Sequence, residues 1–563
     1  MKVAIIGRAG TGKTTYLLDK ILQLDPKRTI YISYTRKAVW EARERASKKF
    51  GLEKDDIQYF RTIHSLCYRL LGYTKEMCLK TSEIKEFFDK KGIKFSPEPE
   101  VSEGLENEVL KLRETGEDMS DGNRILGMLD YIQHTSLTRI EKMNDRELMI
   151  KINGFINGFG KFESVYLNSP SVLLGIVRDY QKMKLGKVDY TDILLDFLET
   201  PSVPEEVEYL VVDEFQDLTP LMYEIVKIFE LHTKDQFYAG DDIQTIYTFM
   251  GSKPDFLISE YNGTNNKVDL KKSWRMRENV WEFAKRFIKR NIKKRTAFLD
   301  IKTRGAGGRV VITGYDLKQD FFKKFENTYT LFLHRTNREK RMWKRMFIGW
   351  GIRFKEIGLG KRIWTTNLDN LYNALLKIKK GLPLNYDETR NLVESIPTKP
   401  FLIRGVKTKL RKGIYRQPLT QQARDFFQTD EINTMFFEKE YGLEYILSNL
   451  NLLRIEKDQL NALKIKILTN PNEIITDPDT VHKKCIVLST IHSVKGGEAD
   501  IVILNTKISK RITSSIIKNK EKWEEEARVF GIGLTRAREA TYLMKTDNPL
   551  FKNAPDVASN SPI

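Results

Sequence analysis

Residues 3–15 read VAIIGRAGTGKTT. Val3, Ala4, Ile5 and Ile6 make a short apolar strand, Gly7 to Thr14 carry the spacing G-x-x-x-x-G-K-T, and the amphipathic run TYLLDKILQL predicts a helix. A strand, a glycine-rich loop and a helix in that order turn consecutive backbone N–H groups onto a phosphate chain, at a helix N-terminus whose dipole favours anions. The stretch therefore predicts an α/β nucleotide-binding domain. Gly7, Ala9, Gly10, Thr11 and Gly12 would form the cradle, Lys13 would reach the β/γ-phosphates, Thr14 would ligand Mg²⁺ and Thr15 would border the nucleotide.

A second stretch, VVDEFQDLTP at 211–220, acquires its meaning from the first. Tyr209 to Val212 predict a buried central strand that delivers Asp213 and Glu214 to the carboxyl edge of a sheet, where open α/β folds bind ligands. Alone, an Asp-Glu pair reads more readily as a solvated strand-to-loop junction. Beside a phosphate loop, Asp213 becomes a Mg²⁺ ligand and Glu214 the base that orients an attacking water.

At 563 residues the chain is too long for one core, and about four domains are expected. Three cysteines, Cys67, Cys78 and Cys485, form no C-x-x-C pair, which argues against a disulfide framework or a zinc site. A reducing compartment, the cytoplasm, is the expectation. The N-terminal apolar run is too short for a signal peptide or a membrane span. Ninety-five basic against 76 acidic residues leave a net charge of +19, which points to a polyanionic partner.

The lysine of the loop and the acidic pair stand 200 residues apart, so something is inserted between strands of the first sheet. Residues 76–184, including SEGLENEVLKLRETGEDMSDGN, predict an all-helical insertion. QFYAGDD (236–242) predicts another strand-to-loop junction, and CIVLSTIHSVKGGEADIVIL (485–504) two β-branched strands of a second α/β core. Residues 370–477 fit neither sheet, and the end, DNPLFKNAPDVASNSPI, predicts a disordered tail. In ENVWEFAKRFIKRNIKKR, Val280, Phe283, Ala284, Phe287 and Ile288 share one face, which predicts an ordinary packed helix.

Set in order, the motifs resemble those of the UvrD/Rep-like group of superfamily 1 (subgroup A) DNA helicases. GRAGTGKTT resembles motif I, YISYTRKAVWEARER (from 31) motif Ia, TIHSLCYRLL (from 62) motif Ib, and VDYTDILLDFL (from 188) the segment before motif II. DEFQD is similar to motif II, AGDDIQTIYTFMG (from 239) to motif III and LKKSWRM (from 270) to motif IV. STIHSVKGGEAD (from 489) and VFGIGLTRAREA (from 529) resemble motifs V and VI. The resemblance runs from residue 7 to about 540. It implies two RecA-like P-loop motor domains in tandem, each with a mainly helical inserted subdomain. Their expected extents are 1–75 with 185–266 and 267–369 with 478–546, the insertions being 76–184 and 370–477 and the tail 547–563.

The resemblance also implies roles. Gln216 and Gln244 would sense water and γ-phosphate from the cleft wall, being able to donate and accept. Arg275 and Arg536 would reach the cleft from the second motor and neutralise the transferring phosphoryl group, so that hydrolysis requires closure. Trp274 would stack on the base and Glu498 would contact the ribose. On the strand side, aromatic faces and basic or amide groups hold a single strand without reading it. Tyr34, Thr35, Arg36, His64, Tyr247, Phe249 and His492 occupy the matching motifs, and Tyr247 and Phe249 would share one face of a strand. The implied activity is ATP- and Mg²⁺-dependent 3′–5′ translocation on single-stranded DNA with duplex unwinding. Expected partners are single-stranded DNA, single-strand/duplex junctions and replication or repair proteins, for a monomer that does not engage membranes.

Some positions depart from the family pattern. Trp274 stands where tyrosine is usual, Thr15 and Met250 where relatives often carry arginine, and Gly497 replaces a bulkier apolar residue. The usual adenine-reading glutamine segment ahead of motif I is not found. These departures and the short insertions suggest a divergent, compact member of viral or mobile-element origin, acting then in host cytoplasm. In KPFLIRGVKTKLRKGIYR (399–416), seven basic residues predict either a duplex-phosphate contact or a solvated loop. Two other functions stay open: a single-strand translocase or partner-dependent motor without autonomous unwinding, and a non-motor P-loop protein such as a nucleotide kinase or an ATP-gated binding module. Against the last stand the motif order, the second core and the arginine pair.

Overall fold

The computed structural model describes residues 1–552 apart from 22, 35, 52, 54, 55, 97–119, 161, 297, 357–365, 413–425, 439, 440 and 470–484. The fold is α/β and divides into two compact units: residues 1–310 with 508–540 and 547–563, and residues 311–507 with 541–546.

The first unit is built on β1 (Lys2–Gly7), β2 (Thr29–Ile32), β3 (Phe60–Arg61), β4 (Tyr209–Val212), β5 (Asp235–Gly240) and β6 (Asn266–Leu270). They form one sheet in the order β3-β2-β4-β5-β1-β6, with every pair parallel. The apolar runs read in the sequence are continuous because both faces are covered. Ile6, Ile30, Ile32, Leu210, Val212 and Tyr238 pack on one side, and Ile5, Tyr31, Val211, Phe237 and Ala239 on the other. Each such buried aliphatic contributes about 1.5–3 kcal/mol relative to exposure. In β1 to β5 charge is thereby confined to the strand ends.

The first insertion leaves this layer at Cys78 and returns at Val188. Those two residues form a parallel bridge, flanked by Leu79 N–H to Val188 O at 2.9 Å and Val188 N–H to Met77 O at 3.0 Å. Its own core joins Phe87, Phe88, Ile125, Leu129, Ile152 and Tyr180. Within it, the helix Asp121–Ser136 reaches back to the layer of the first sheet, where His134 Nδ1 lies 2.7 Å from Thr219 Oγ1. Most of the acidic stretch expected to be helix and polar loop, residues 97–119, lies outside the described residues. The helices Glu278–Asn291 and Lys520–Leu534 complete this unit. The former buries Val280, Phe283, Ala284, Phe287 and Ile288, as its apolar face predicts.

The remaining strands are β7 (Arg309–Thr313), β8 (Thr330–His334), β9 (Phe354–Glu356), β10 (Leu384–Asn385), β11 (Phe426–Phe427), β12 (Ile486–Thr490), β13 (Ala499–Asn505) and β14 (Ala537–Met544). A second sheet takes the order β7-β14-β13-β8-β12-β9, and β8 pairs in parallel with both β12 and β13. The unit boundary crosses β7 and β14. Between β9 and β12 lie short helices and the antiparallel β10–β11 ribbon. Of the basic stretch 399–416, residues 413–416 lie outside the described residues, and Arg411 is paired with Glu394 at 2.6 Å. No helix among the described residues is long and apolar enough to cross a membrane.

Two expectations are corrected. Residues 247–249 are not strand: Thr248–Met250 form a 3-10 turn closed by Gly251 at φ 95°. The expected tail begins as packed structure, because Pro549–Phe551 form a turn and buried Phe551 stacks on Phe287 at 4.7 Å. Residues 553–563 lie outside the described residues.

Candidate nucleotide cleft and strand-contact residues

β1 ends at Gly7, and the loop turns through Gly10 (φ 72°) and Gly12 (φ 83°) into the helix Lys13–Ile21. A Cβ at Gly7 would fall 2.5 Å from Thr11 Oγ1, and one at Gly10 would fall 2.5 Å from Arg275 Cβ, so both positions demand glycine. Lys13 folds over the loop, its Nζ donating to Gly7 O at 3.1 Å. Motif IV docks on the same turn: Ser273 Oγ donates to Ala9 O at 2.9 Å, and Trp274 N–H to Gly10 O at 2.9 Å. Trp274 itself is 63% exposed, with Lys272 Nζ 3.6 Å from its ring centroid. Thr15 Oγ1 accepts from Arg45 at 3.4 Å.

β4 places Asp213 beside the loop. Its Oδ2 accepts from Thr14 Oγ1 at 2.6 Å and from Tyr31 OH at 3.2 Å, and its Oδ1 accepts from Glu214 N–H at 2.9 Å. Burial, with Glu214 adding its charge, pushes the Asp213 carboxyl up to about 6, while Thr14 and Lys13 pull the other way. A hydroxyl and a buried carboxylate are the hard oxygen donors that Mg²⁺ takes, usually with phosphates and water completing the shell. The donor set fits that ion. The glycine turn, which no Cβ could enter, fits a phosphate chain.

Glu214 is held in the left-handed region, at φ 55° and ψ 41°. For a non-glycine residue this costs about 1–3 kcal/mol and marks sites held by their surroundings. What holds it is a hydrogen-bonded chain. Buried Gln216 donates through Nε2 to Glu214 Oε2 at 2.5 Å, and its Oε1 accepts from Asp241 N–H at 2.9 Å. Asp241 Oδ2 accepts from Gln244 Nε2 at 2.5 Å, and Gln244 Oε1 accepts from Arg536 at 2.6 Å. Arg536 is 1% exposed, and Arg275 donates to Thr535 O at 3.3 Å. Glu214, Gln216, Gln244, Arg275 and Arg536 thus belong to one compact unit with the phosphate loop.

A buried ion cluster behind the loop escaped sequence reasoning. Arg8, 0% exposed, donates to Asp241 Oδ1 and Asp242 Oδ1, both at 2.7 Å, to Thr296 Oγ1 at 2.7 Å and to Phe298 O. Burial works against its charge, and Asp242 and Asp241 outweigh it, so the guanidinium is held charged. The signal was a basic residue inside the loop matched by an Asp-Asp pair, but such residues ordinarily read as solvated.

The candidate strand-contact residues separate into groups. Tyr34, half-buried, stacks on buried Tyr247 with ring centroids at 4.8 Å, and half-buried Phe249 meets Tyr247 edge-on at 6.1 Å. His64 meets Tyr190 edge-on at 6.2 Å. A mainly apolar pocket is lined by Tyr34, His64, Tyr190, Met222 and Met250, with Asp213 also on its wall. Thr35 lies outside the described residues, as does the side chain of Arg36 at the start of the helix Arg36–Phe50. In the second unit, His492 is buried in the turn His492–Val494. Burial, reinforced by Arg335 and Lys495, keeps its ring neutral. Glu498, half-buried, follows Gly496 (φ 82°) into β13.

With that geometry in place, comparison with known proteins is direct. Residues 1–264 match the UvrD/REP helicase N-terminal domain, and residues 403–548 match the UvrD-like helicase C-terminal domain. A Mycoplasma capricolum protein described as "Probable DNA helicase II homolog" is 25% identical over 350 residues, 58% of this chain and 43% of the relative. A Mycoplasma genitalium protein of the same description is 24% identical over 311 residues, 50% of this chain and 39% of the relative. The chain therefore spans about two fifths of the length of these relatives. The ATP-dependent DNA helicase PcrA of Staphylococcus aureus is 21% identical over 646 residues, 99% of this chain and 83% of the relative.

Proposed function

The chain belongs to the UvrD/REP helicase family, with tandem RecA-like motor domains, and from that premise we propose that it is an ATP-dependent DNA helicase moving 3′ to 5′ on single-stranded DNA. The observation that carries the reading is the continuous chain from Glu214 through Gln216, Asp241 and Gln244 to Arg536. It joins a base beside the phosphate loop to an arginine contributed by motif VI.

Each residue then has a task. The glycine turn and Lys13 bind the phosphates of ATP. Thr14 and Asp213 would hold Mg²⁺, which supplies charge neutralisation to those phosphates. Glu214, its carboxylate oriented by Gln216, accepts a proton from the attacking water. Arg275 and Arg536 stabilise negative charge on the transferring phosphoryl group. Trp274 offers an exposed face for the base, and Glu498 a carboxylate for the ribose. Tyr34 and Phe249, backed by buried Tyr247, offer ring faces to the strand, with His64, His492, Thr35 and Arg36 as further strand-side residues of the matching motifs. Because Gln244 lies between Asp241 and Arg536 and three residues before Tyr247, strand occupancy and phosphate occupancy would bear on two adjacent turns of one short segment.

The test is the ATPase rate with and without single-stranded DNA, beside unwinding of duplexes carrying a 3′ or a 5′ tail. Stimulation with opening of the 3′-tailed duplex alone is expected. Stimulation without opening would assign a translocase or a partner-dependent motor. Absence of stimulation would refute the DNA motor.

A further inference from the structure

Residue 8 lies inside the phosphate loop, yet its side chain turns away from the space a phosphate would fill. Its backbone carbonyl closes the loop by accepting from Thr11 N–H at 3.2 Å and Thr11 Oγ1 at 2.8 Å. Its guanidinium runs the opposite way into a site with no exposed surface, and each partner there is itself constrained. Asp242 also accepts from Thr296 N–H at 2.8 Å and Thr296 Oγ1 at 2.8 Å. Asp241 is the residue that holds Gln244. Two carboxylates around one guanidinium, all buried, survive only with such complete hydrogen bonding.

The second arm of this site leads to the same place as the first. The segment around Thr296 is gripped from its other side by the helix Lys520–Leu534. Glu524 accepts from Lys293 N–H at 3.2 Å and Lys294 N–H at 3.1 Å, and Arg528 donates to Lys294 O at 2.6 Å and to Asp242 O at 3.3 Å. That helix runs directly into Thr535 and Arg536. From Arg8, one path passes through Asp241 and Gln244 to Arg536, and the other through Thr296 and Arg528 along the helix to Arg536. The phosphate loop and the arginine are therefore joined by two hydrogen-bonded paths.

Building on the ATPase reading above, we propose that Arg8 is a positioning residue that fixes Gln244 and Arg536 relative to the phosphate loop, so that nucleotide occupancy sets the placement of the arginine. It touches no phosphate itself. A forked donor is needed because the acceptors, two carboxylates, a hydroxyl and a carbonyl, are spread around the guanidinium plane. A lysine ammonium keeps the charge and cannot span them.

Arg8→Lys should lower kcat of the DNA-stimulated ATPase roughly ten- to a hundredfold, the cost of misplacing a catalytic group by about 1 Å, with half-saturating ATP shifted less than about threefold. Fluorescent-nucleotide affinity should likewise hold, which a general disruption of the loop would not allow. Spatial connection alone does not establish coupling, so the deciding measurement is a double-mutant cycle with Gln244→Ala. If Arg8 acts through Gln244, the double variant turns over about as fast as the slower single variant. Losses that multiply would overturn the proposal, as would an unchanged kcat in Arg8→Lys. Should Arg8→Lys fail to fold, Thr296→Val decides. It removes one acceptor of the guanidinium while keeping Arg8, and should reduce kcat in the same sense; an unchanged kcat there overturns the proposal. If DNA does not stimulate the wild type, the helicase reading falls by itself, and the Arg8 cycle is read on basal turnover.

Discussion

Replacing Gln216 by methionine cuts the hydrogen-bonded chain from Glu214 to Arg536 at its centre with little change in volume. Gln216 is fully buried, and its amide serves Glu214 Oε2 at 2.5 Å and Asp241 N–H at 2.9 Å. Methionine fills the space and offers neither bond. The Asp241 N–H would then be buried and unsatisfied, at a cost of about 1–3 kcal/mol in stability. The hydrogen bond to the Glu214 carboxylate is charge-assisted and is worth about 1.5–3 kcal/mol. Glu214 already sits in a left-handed backbone well, so its side chain depends on such anchors for direction. If the anchoring energy is expressed in the transition state, kcat falls roughly ten- to a hundredfold. Steady-state hydrolysis at saturating ATP and single-stranded DNA measures that loss, and urea unfolding measures the other. A kcat within about twofold of wild type, a difference under about 0.5 kcal/mol, would refute the role of Gln216 in orienting Glu214.

A pH effect is expected in the second unit. His334 is fully buried at the end of β8, with Nδ1 3.2 Å from Asn505 Nδ2, and burial aided by Lys340 lowers its pKa to about 3. The unfolded chain, near 6.5, takes up the proton first, so stability is full above that value and lost as pH falls. Linkage gives about 2 kcal/mol lost between pH 7 and pH 5, and His334→Gln should flatten that part of the urea-midpoint profile; an unchanged slope would show that another group governs it. Phe551→Ala, which removes a ring buried against Phe287 and Phe530, should cost about 3–5 kcal/mol, measured by thermal or urea unfolding, whereas a loose end would cost nothing. Phe249→Ala, at a half-buried ring, should weaken DNA-stimulated ATPase more than basal ATPase, and equal losses would argue for a packing role. Glu214→Gln should abolish turnover with folding intact, and retained hydrolysis would exclude it as the base.

How much of this was legible follows from how locally each feature is encoded. The phosphate loop, the strand entering Asp213 and the helix Glu278–Asn291 each carry their signal within about fifteen residues, as periodicity and glycine placement. The pairing of Gln244 with Arg536 spans 292 positions and was reachable only through the resemblance. Arg8 was missed because its aspartates lie 233 and 234 positions away, and nothing local announces that the site between them excludes water. Tyr247 and Phe249 misled for the opposite reason. Two aromatics spaced by one residue imitate the period of a strand, but Gly251 in the left-handed region closes a 3-10 turn across them. The turn Pro549–Phe551 was misjudged because its polar surroundings outweighed two apolar residues, Leu550 and Phe551, which are buried, Phe551 against Phe287 and Phe530.

The bridge between Cys78 and Val188 has a consequence for how such a chain can be remodelled. Two residues 110 positions apart in sequence sit side by side as strand neighbours do, at a spacing of about 5 Å. Everything between them is covalently joined to the sheet domain at one pair of adjacent ends, and it also bonds to that domain where His134 meets Thr219 and Arg139 meets Asp192 and Asp196. Lengthening the insertion costs only the slowly growing entropy of a longer loop, and a tight turn of a few residues could close the gap if it were removed. The motor sheet would keep its strand order through either change. What such surgery would expose is the polar seam where His134 meets Thr219, one residue past Leu218 and two past the last carboxylate of DEFQD. A graft at this point would have to supply a hydroxyl partner there before it could be silent.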